Sequence, residues 1–312
     1  MGSVDSFNKN KTRLRVSIIS YCNLSCKFCH KEGLIGYTGE RIMRLSKFQD
    51  IFNAYAKLNG HEVDITGGEP LLHPHLKDIL RITGTFPRDV TLSTNGILLN
   101  KINLDPEYDR ITETKISLHY IDNDKGSKIL GRNYDAGLIM NNIKEHINKG
   151  YKTIINITLT NDNKDEVPYI IDWAINNGAN IKVSDLGETS ENTEFFSINY
   201  YSPEQVEYLK SLQSTEEKLL AERAGNNLVQ HILDGDRYVL IKDVDNGKLT
   251  TAMCDDCSKI EICSEGVFAM RVNPNGDLQP CGLRKDLIIA NNEEGNDLEN
   301  MEDAIDLMFG GR

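Results

Sequence analysis

Six strand-like runs, at residues 14–20, 62–66, 89–94, 115–119, 153–159 and 180–185, alternate with helix-like runs at 46–58, 75–85, 134–149 and 166–177. Alternation of this kind builds βαβ units, which lay their strands side by side in a parallel sheet. Six such strands predict an α/β fold, a partial (β/α)6 TIM-like barrel. Barrels of this type gather their chemistry at the C-terminal ends of the strands. A length of 312 residues suits one large domain and one smaller one, set here at 12–220 and 221–312. The run 203–220 reads as an amphipathic helix with Ser202 as its N-cap.

The loop after the first strand carries Cys22, Cys26 and Cys29, spaced three residues and then two. Three thiolates so placed can hold three irons of a [4Fe–4S] cube and leave the fourth open to an exchangeable ligand. Zinc is the alternative. It usually takes four protein ligands with two-residue spacings, and His30 would have to complete the set.

Two further motifs sit at strand ends: Val63-Asp64-Ile65-Thr66-Gly67-Gly68-Glu69-Pro70, and Val90-Thr91-Leu92-Ser93-Thr94-Asn95-Gly96. A third strand, Lys115-Ile116-Ser117-Leu118-His119, follows. With the cysteine loop, these match in order and position the pattern of the radical S-adenosylmethionine (SAM) superfamily, which the chain resembles. The resemblance implies a catalytic cluster on Cys22, Cys26 and Cys29. It implies a SAM site lined by Phe28, Thr66, Gly67, Gly68, Glu69, Pro70, Thr94, Asn95 and Ser117. Electron transfer from the cluster would release a 5′-deoxyadenosyl radical, with the protein supplying position and exclusion of water. His119, at the same mouth, is a candidate SAM contact or acid–base group, with packing as its alternative role.

The chain carries 39% hydrophobic and 26% charged residues with a net charge of −12. No apolar run approaches the ~20 residues of a membrane span, and no basic stripe marks a nucleic-acid binder. Neither a membrane nor a nucleic acid is therefore an expected partner. The polar N-terminus shows no signal peptide, and seven grouped cysteines fit metal ligation better than disulfides. A reducing cytoplasm is the expected location. Trp173 is read as a core residue, and His61, His146 and His231 as structural or exposed.

Cys254, Cys257, Cys263 and Cys281 form a second set, the first three spaced by two and five residues. Asn275-Gly276 between alternating flanks signals a hairpin that returns Cys281 toward Cys254 and Cys257. Four converging thiolates bind either zinc or a cluster. Beside a radical SAM core, an auxiliary [4Fe–4S] cluster is the expectation, giving two clusters and SAM as cofactors.

The chain resembles the GTP cyclase of molybdopterin biosynthesis over most of residues 12–186, then 254–257, 271–281 and the tail, with a SPASM/twitch-like auxiliary domain. The resemblance implies that Arg15 and Arg271 face the substrate and take part in the chemistry. It adds Asn156 and Lys182 to the substrate space, sets Gly131-Arg132 at family positions, and implies a Gly310-Gly311 tail that reaches the active site. Departures are equally informative. Basic positions of the cyclases are Glu62, Asp64, Ile154 and Ala269 here, and Cys263 lies in an added stretch. Acidic groups beside a triphosphate would replace charge-assisted hydrogen bonds with repulsion. The expected substrate is thus a small nucleotide-like molecule other than GTP, undergoing cyclisation or rearrangement, with a flavodoxin- or ferredoxin-type reductant. Peptide modification or sugar oxidation is the alternative enzyme reading. A zinc-structured binding protein is the non-enzyme one.

Overall fold

The computed structural model describes residues 13–309 except 35, 87, 104, 132–133, 201–202, 213, 215, 220–227, 234–236, 243–249, 262, 264–266, 268 and 291–296. Arg132, Ser202 and the Gly310-Gly311 tail fall outside the described residues.

Six strands, β1 (Arg13–Ser17), β2 (Glu62–Thr66), β3 (Asp89–Thr94), β4 (Glu113–Ser117), β5 (Thr153–Thr158) and β6 (Asn180–Ser184), pair in sequence order, all parallel. Helices α1 (Leu45–Lys57), α2 (Leu76–Thr83), α3 (Asn123–Leu130), α4 (Ala136–Asn148) and α5 (Val167–Asn176) lie between them. Each strand alternates. Leu14, Val16, Val63, Ile65, Leu92, Ile116, Ile155, Ile157, Ile181 and Val183 are buried in one core with Phe48, Ile51, Ile79, Ile139 and Ile170 of the helices. Their neighbours on the other face are polar except Ile154, and in register they form tiers. Arg15, Asp64 and Thr91 are consecutive partners, as are Ser117, Asn156 and Lys182. The interior of the barrel is therefore charged where a purely structural barrel would hold branched aliphatics.

The boundaries need three corrections. β1 stops at Ser17, after which Ile19 makes a single bridge to Ile42. β4 stops at Ser117, so His119 lies two residues past the strand rather than ending it. The run 203–220 is not one helix. α7 (Pro203–Lys210) ends early and Glu216–Leu219 is β7, paired antiparallel with β8 (Leu228–Ile232). Cross-strand pairing there overrides local helix propensity. α3, α6 (Thr193–Asn199) and α8 (Asp297–Phe309) are additional to the expected helices.

The region after 220 extends the same sheet at both ends. β9 (Tyr238–Lys242) pairs parallel with β6 and antiparallel with β8. β10 (Ala269–Val272) pairs parallel with β1, and β11 (Leu278–Gln279) folds back on β10. Arg271 is thereby set beside Arg15. The expected hairpin is present: Gly276 has φ +96°, and the Asn273 side chain accepts from the amides of Asn275 and Asp277. α8 packs on α1, where the Lys47 ammonium meets Asp297 at 3.3 Å. Trp173 is partly buried against the core, with the Lys144 ammonium 5.7 Å from its ring centre. His146 is buried, with both ring nitrogens engaged by Asn103 and Thr114.

Candidate active site

The cysteine loop is fastened from two sides. Ser25 and Lys27 donate their amides to the carbonyls of Leu130 and Ile129 at the end of α3, at 2.8 and 3.0 Å. On the other side, Gly68 donates to the Ile19 carbonyl at 2.6 Å and Glu69 to that of Tyr21 at 2.9 Å. Gly67 (φ +144°) and Gly68 leave no room for a side chain. A Cβ on Gly67 would sit 2.3 Å from the Ile19 oxygen. The glycine pair thus lets the end of β2 press on the backbone that leads into Cys22.

The three thiols share one loop, and each takes a proton reluctantly lost. Burial pushes Cys22 up to about 11, and burial with the neighbouring thiols raises Cys26. Burial raises Cys29 as well. A bound metal reverses this logic and takes the thiolate outright. Amide donors are already aimed at two sulfurs, Leu24 N–H at Cys22 Sγ (3.4 Å) and Lys31 N–H at Cys29 Sγ (3.3 Å). Among the described residues, no three His, Cys, Asp or Glu side chains close tightly enough for a single metal ion. The donor set, three soft thiols on one loop with amides aimed at sulfur, suits a cluster.

Glu69 is fully buried and joins the two glycine-turn motifs. Its carboxylate accepts from the Leu71 amide (3.0 Å), the Thr94 hydroxyl (2.8 Å) and the Asn95 amide (2.8 Å). Burial outweighs these bonds and pushes its pKa up to about 7. The Asn95 side chain donates to the Asn23 oxygen at 2.7 Å, next to Cys22. Pro70 and Thr66 are buried beside them, so the SAM candidates of β2 and β3 converge on the cysteine loop. Ser117, Asn156 and Lys182 occupy one tier of the barrel interior, on the neighbouring strands.

His119 is buried, and its Nδ1 accepts from the Thr158 amide at 3.0 Å. Its ring meets Phe28 edge-on, with centroids 5.0 Å apart. Burial lowers its pKa to about 4. It is therefore a neutral ring whose proton sits on Nε2, packed against the cysteine loop.

The barrel interior holds an ion network. Arg15 gives Nε and Nη2 to Glu32 (3.1 and 2.8 Å) and meets Asp64 through Nη1 at 3.0 Å. Asp64 also accepts from Ser93 at 3.1 Å and lies 3.5 Å from the Lys115 ammonium. Glu62 pairs with Arg13 at 2.6 Å and with Lys115 at 3.6 Å. Lys115 and Arg15 hold the Asp64 carboxyl well below the usual carboxylate range against its burial. The sequence reading missed Glu32, Lys115 and Arg13. The period-two polar alternation of β1 and β4 marked the last two; nothing local marks Glu32, which lies three residues past Cys29.

Cys254, Cys257, Cys263 and Cys281 line a single cavity with Met253, Ile260, Val267 and Leu283. Burial raises the Cys281 thiol, and the nearby Arg271 charge opposes this. Arg284, which the sequence reading passed over, ties the rim by donating to the Met253 carbonyl (3.1 Å) and to Asp256 (3.2 Å).

A barrel with three cysteines on its first loop and two glycine-turn motifs behind them defines a class. Residues 16–174 match the Radical SAM superfamily, and the chain belongs to it. It is a radical SAM enzyme, and membership implies a [4Fe–4S] cluster and SAM. Its relatives include proteins named "Probable GTP 3',8-cyclase". That of Archaeoglobus fulgidus is 28% identical, covering 94% of this chain and 93% of the relative. That of Methanococcus aeolicus is 25% identical, covering 91% and 90%. In fold, the chain is similar to Streptococcus suis SuiB bound to precursor peptide SuiA (TM-score 0.63, 17% identity, 96% of this chain and 66% of that one). It is also similar to anSMEcpe with bound AdoMet and the Cp18Cys peptide (TM-score 0.60, 14% identity, 96% and 82%). Among the described residues, no helix is long and apolar enough to cross a membrane.

Proposed function

We propose that this enzyme carries two [4Fe–4S] clusters and acts on a small nucleotide-like substrate bearing one anionic group, leading to cyclisation or rearrangement. The observation that carries this reading is Arg15 held between Glu32 and Asp64. When bound, the cluster on Cys22, Cys26 and Cys29 and its SAM supply the 5′-deoxyadenosyl radical that abstracts a hydrogen atom. This chain's residues do the rest. Gly67 and Gly68 fix the cysteine loop. Glu69, Thr94, Asn95 and Ser117 line the SAM side, with Phe28 and the neutral His119 closing it to water. Arg15, Arg271, Asn156 and Lys182 orient the substrate.

Buried anions need convergent cations, because burial strips strong hydration. Arg13, Arg15, Lys115, Lys182 and Arg271 bring five positive charges to the interior, and Glu32, Glu62 and Asp64 bring three negative ones, Glu113 being paired with Lys152 at 2.9 Å. The balance is two positive charges, which suits one phosphate or carboxylate group and not a triphosphate. The resemblance to the cyclases supports a nucleotide-like substrate; their named substrate, GTP, does not suit this interior. The four-cysteine cavity supports a fully ligated auxiliary cluster, which leaves peptide or sugar oxidation as the second reading. A flavodoxin- or ferredoxin-type reductant would deliver the electron.

The test is anaerobic incubation of the holoenzyme with SAM, reductant and deuterated nucleosides, nucleoside monophosphates or GTP. Deuterium should enter 5′-deoxyadenosine from a monoanionic or neutral nucleoside and not from GTP. Transfer from GTP at ordinary turnover would overturn the reading.

A further inference from the structure

Arg15 presents the fork that binds an oxyanion with two parallel hydrogen bonds, and a carboxylate of the protein already fills it. Glu32 takes Nε and Nη2 of Arg15, while Asp64 takes Nη1. The two carboxylates are held very differently. Asp64 belongs to strand β2, is fully buried, and is fixed by Ser93 and Lys115. Glu32 sits on a three-residue turn, Lys31–Gly33, and reaches inward from it.

That turn is strained. Among the described residues, three non-glycine residues adopt a left-handed φ, and two of them are Lys31 (+49°) and Glu32 (+52°). Such residues crowd Cβ against the carbonyl and persist only where the surroundings hold them. The holds are the Glu32–Arg15 fork, hydrogen bonds from the Glu32 amide to His30 Nδ1 (3.0 Å), from the Lys31 amide to Cys29 Sγ (3.3 Å) and from the Leu34 amide to the Lys31 carbonyl (2.8 Å), and a surface pair between Lys31 and Glu191. Arg271 adds its charge to the same spot, acting on Glu32 from β10.

We propose that Glu32 is an internal stand-in for a single oxyanion group of the substrate. It occupies the Arg15 fork in the free enzyme and gives way when that group arrives. The exchange conserves charge, one monoanion in and one carboxylate out to water, and it relaxes the strained turn. A dianion or polyanion would exceed the charge Glu32 vacates, so Glu32 also sets specificity. The turn leads directly from Cys29, whose sulfur accepts from the Lys31 amide at 3.3 Å. Departure of Glu32 thus reports substrate arrival to the cysteine loop. The inference rests on the proposed entry of an anionic group at Arg15.

The experiment titrates the iron-loaded holoenzyme at pH 6, where inorganic phosphate is mainly the monoanion, with inorganic phosphate and, separately, with acetate, by calorimetry and by backbone hydrogen exchange. Wild type should bind weakly. Glu32→Gln, which keeps the size and removes the charge, should bind at least about tenfold more tightly. Arg15→Gln should abolish binding in either background. Saturating oxyanion should speed exchange of the amides at 31–34 in wild type and leave Arg15→Gln unchanged. Tightening for either oxyanion upholds the exchange, and the tighter of the two identifies the head group. Equal or weaker binding by Glu32→Gln overturns it. So do 31–34 amides indifferent to oxyanion in wild type, a measurement that stands even if the variants fold poorly. SAM cleavage by the wild-type holoenzyme is read separately. Its absence would count against the proposed function without touching the titration.

Discussion

A Cβ on Gly68 would stand 2.2 Å from the carbonyl oxygen of Tyr21 and 2.9 Å from the amide nitrogen of Cys22. Both obstacles are backbone, so no side chain can swing away. Gly68→Ala must displace the loop backbone that delivers the first cysteine. Overpacking of this kind costs about 1–3 kcal/mol, which leaves a folded protein with a misplaced loop. We expect Gly68→Ala to lose SAM cleavage and roughly half of its iron while its far-ultraviolet spectrum holds. Full iron with normal cleavage would show that the contact is not needed.

The alternation of strands and helices was legible because the strands carry apolar residues at alternate positions, as Leu14 and Val16 do in β1. The cysteine loop was legible because its three cysteines are local in sequence. Glu32 was not, since its partner Arg15 lies on the other side of the loop and only the left-handed turn brings them together. Nor was the sheet's extension past 220. β9 and β10 join strands far away in the chain, and no local pattern encodes a partner. Arg271 was singled out by resemblance alone, and its place beside Arg15 needed the β1–β10 register.

Asp64 is the buried hub of the interior, and its removal should be costly. Breaking one partner of a buried ion pair typically costs about 3–5 kcal/mol. Here Arg15 keeps Glu32 and Lys115 keeps Glu62 at 3.6 Å, so Asp64→Asn should fall near the lower end, about 3 kcal/mol. Denaturant unfolding of the variant measures this. Adding Lys115→Met should recover part of the loss, because one cation then no longer needs a partner. A change within about 0.5 kcal/mol would place Asp64 among surface-like positions and contradict the network.

Stability should decline in mild acid through His146. Its ring is buried with Nδ1 2.6 Å from the Asn103 oxygen and Nε2 2.9 Å from the Thr114 hydroxyl, and burial lowers its pKa to about 4. The unfolded ring titrates near ~6.5. Between these values the unfolded state binds more protons, so stability rises with pH across the window. It is complete above about pH 6.5 and is lost progressively toward pH 4, by up to roughly 3 kcal/mol. His146→Gln should flatten this part of the stability profile. An unchanged slope between pH 6.5 and 4 in the variant would assign the acid sensitivity elsewhere.

The two cysteine sets are separable by substitution. Cys254, Cys257, Cys263 and Cys281 line one cavity, and Cys281 is carried to it by the β10–β11 hairpin. Replacing Cys22, Cys26 and Cys29 together by Ala should leave roughly half of the iron and abolish 5′-deoxyadenosine formation. Cys263→Ala should act the other way. It should keep SAM cleavage, because its cavity is built from the C-terminal strands and loops, and lose or open the auxiliary cluster. Thiolates are the usual cluster ligands, so the freed iron position should take an added nitrogen ligand such as imidazole, visible as nitrogen hyperfine coupling in the variant and absent in wild type. Nitrogen coupling already present in wild type with substrate would mean that Cys263 leaves an iron open, and the auxiliary cluster would then bind substrate directly.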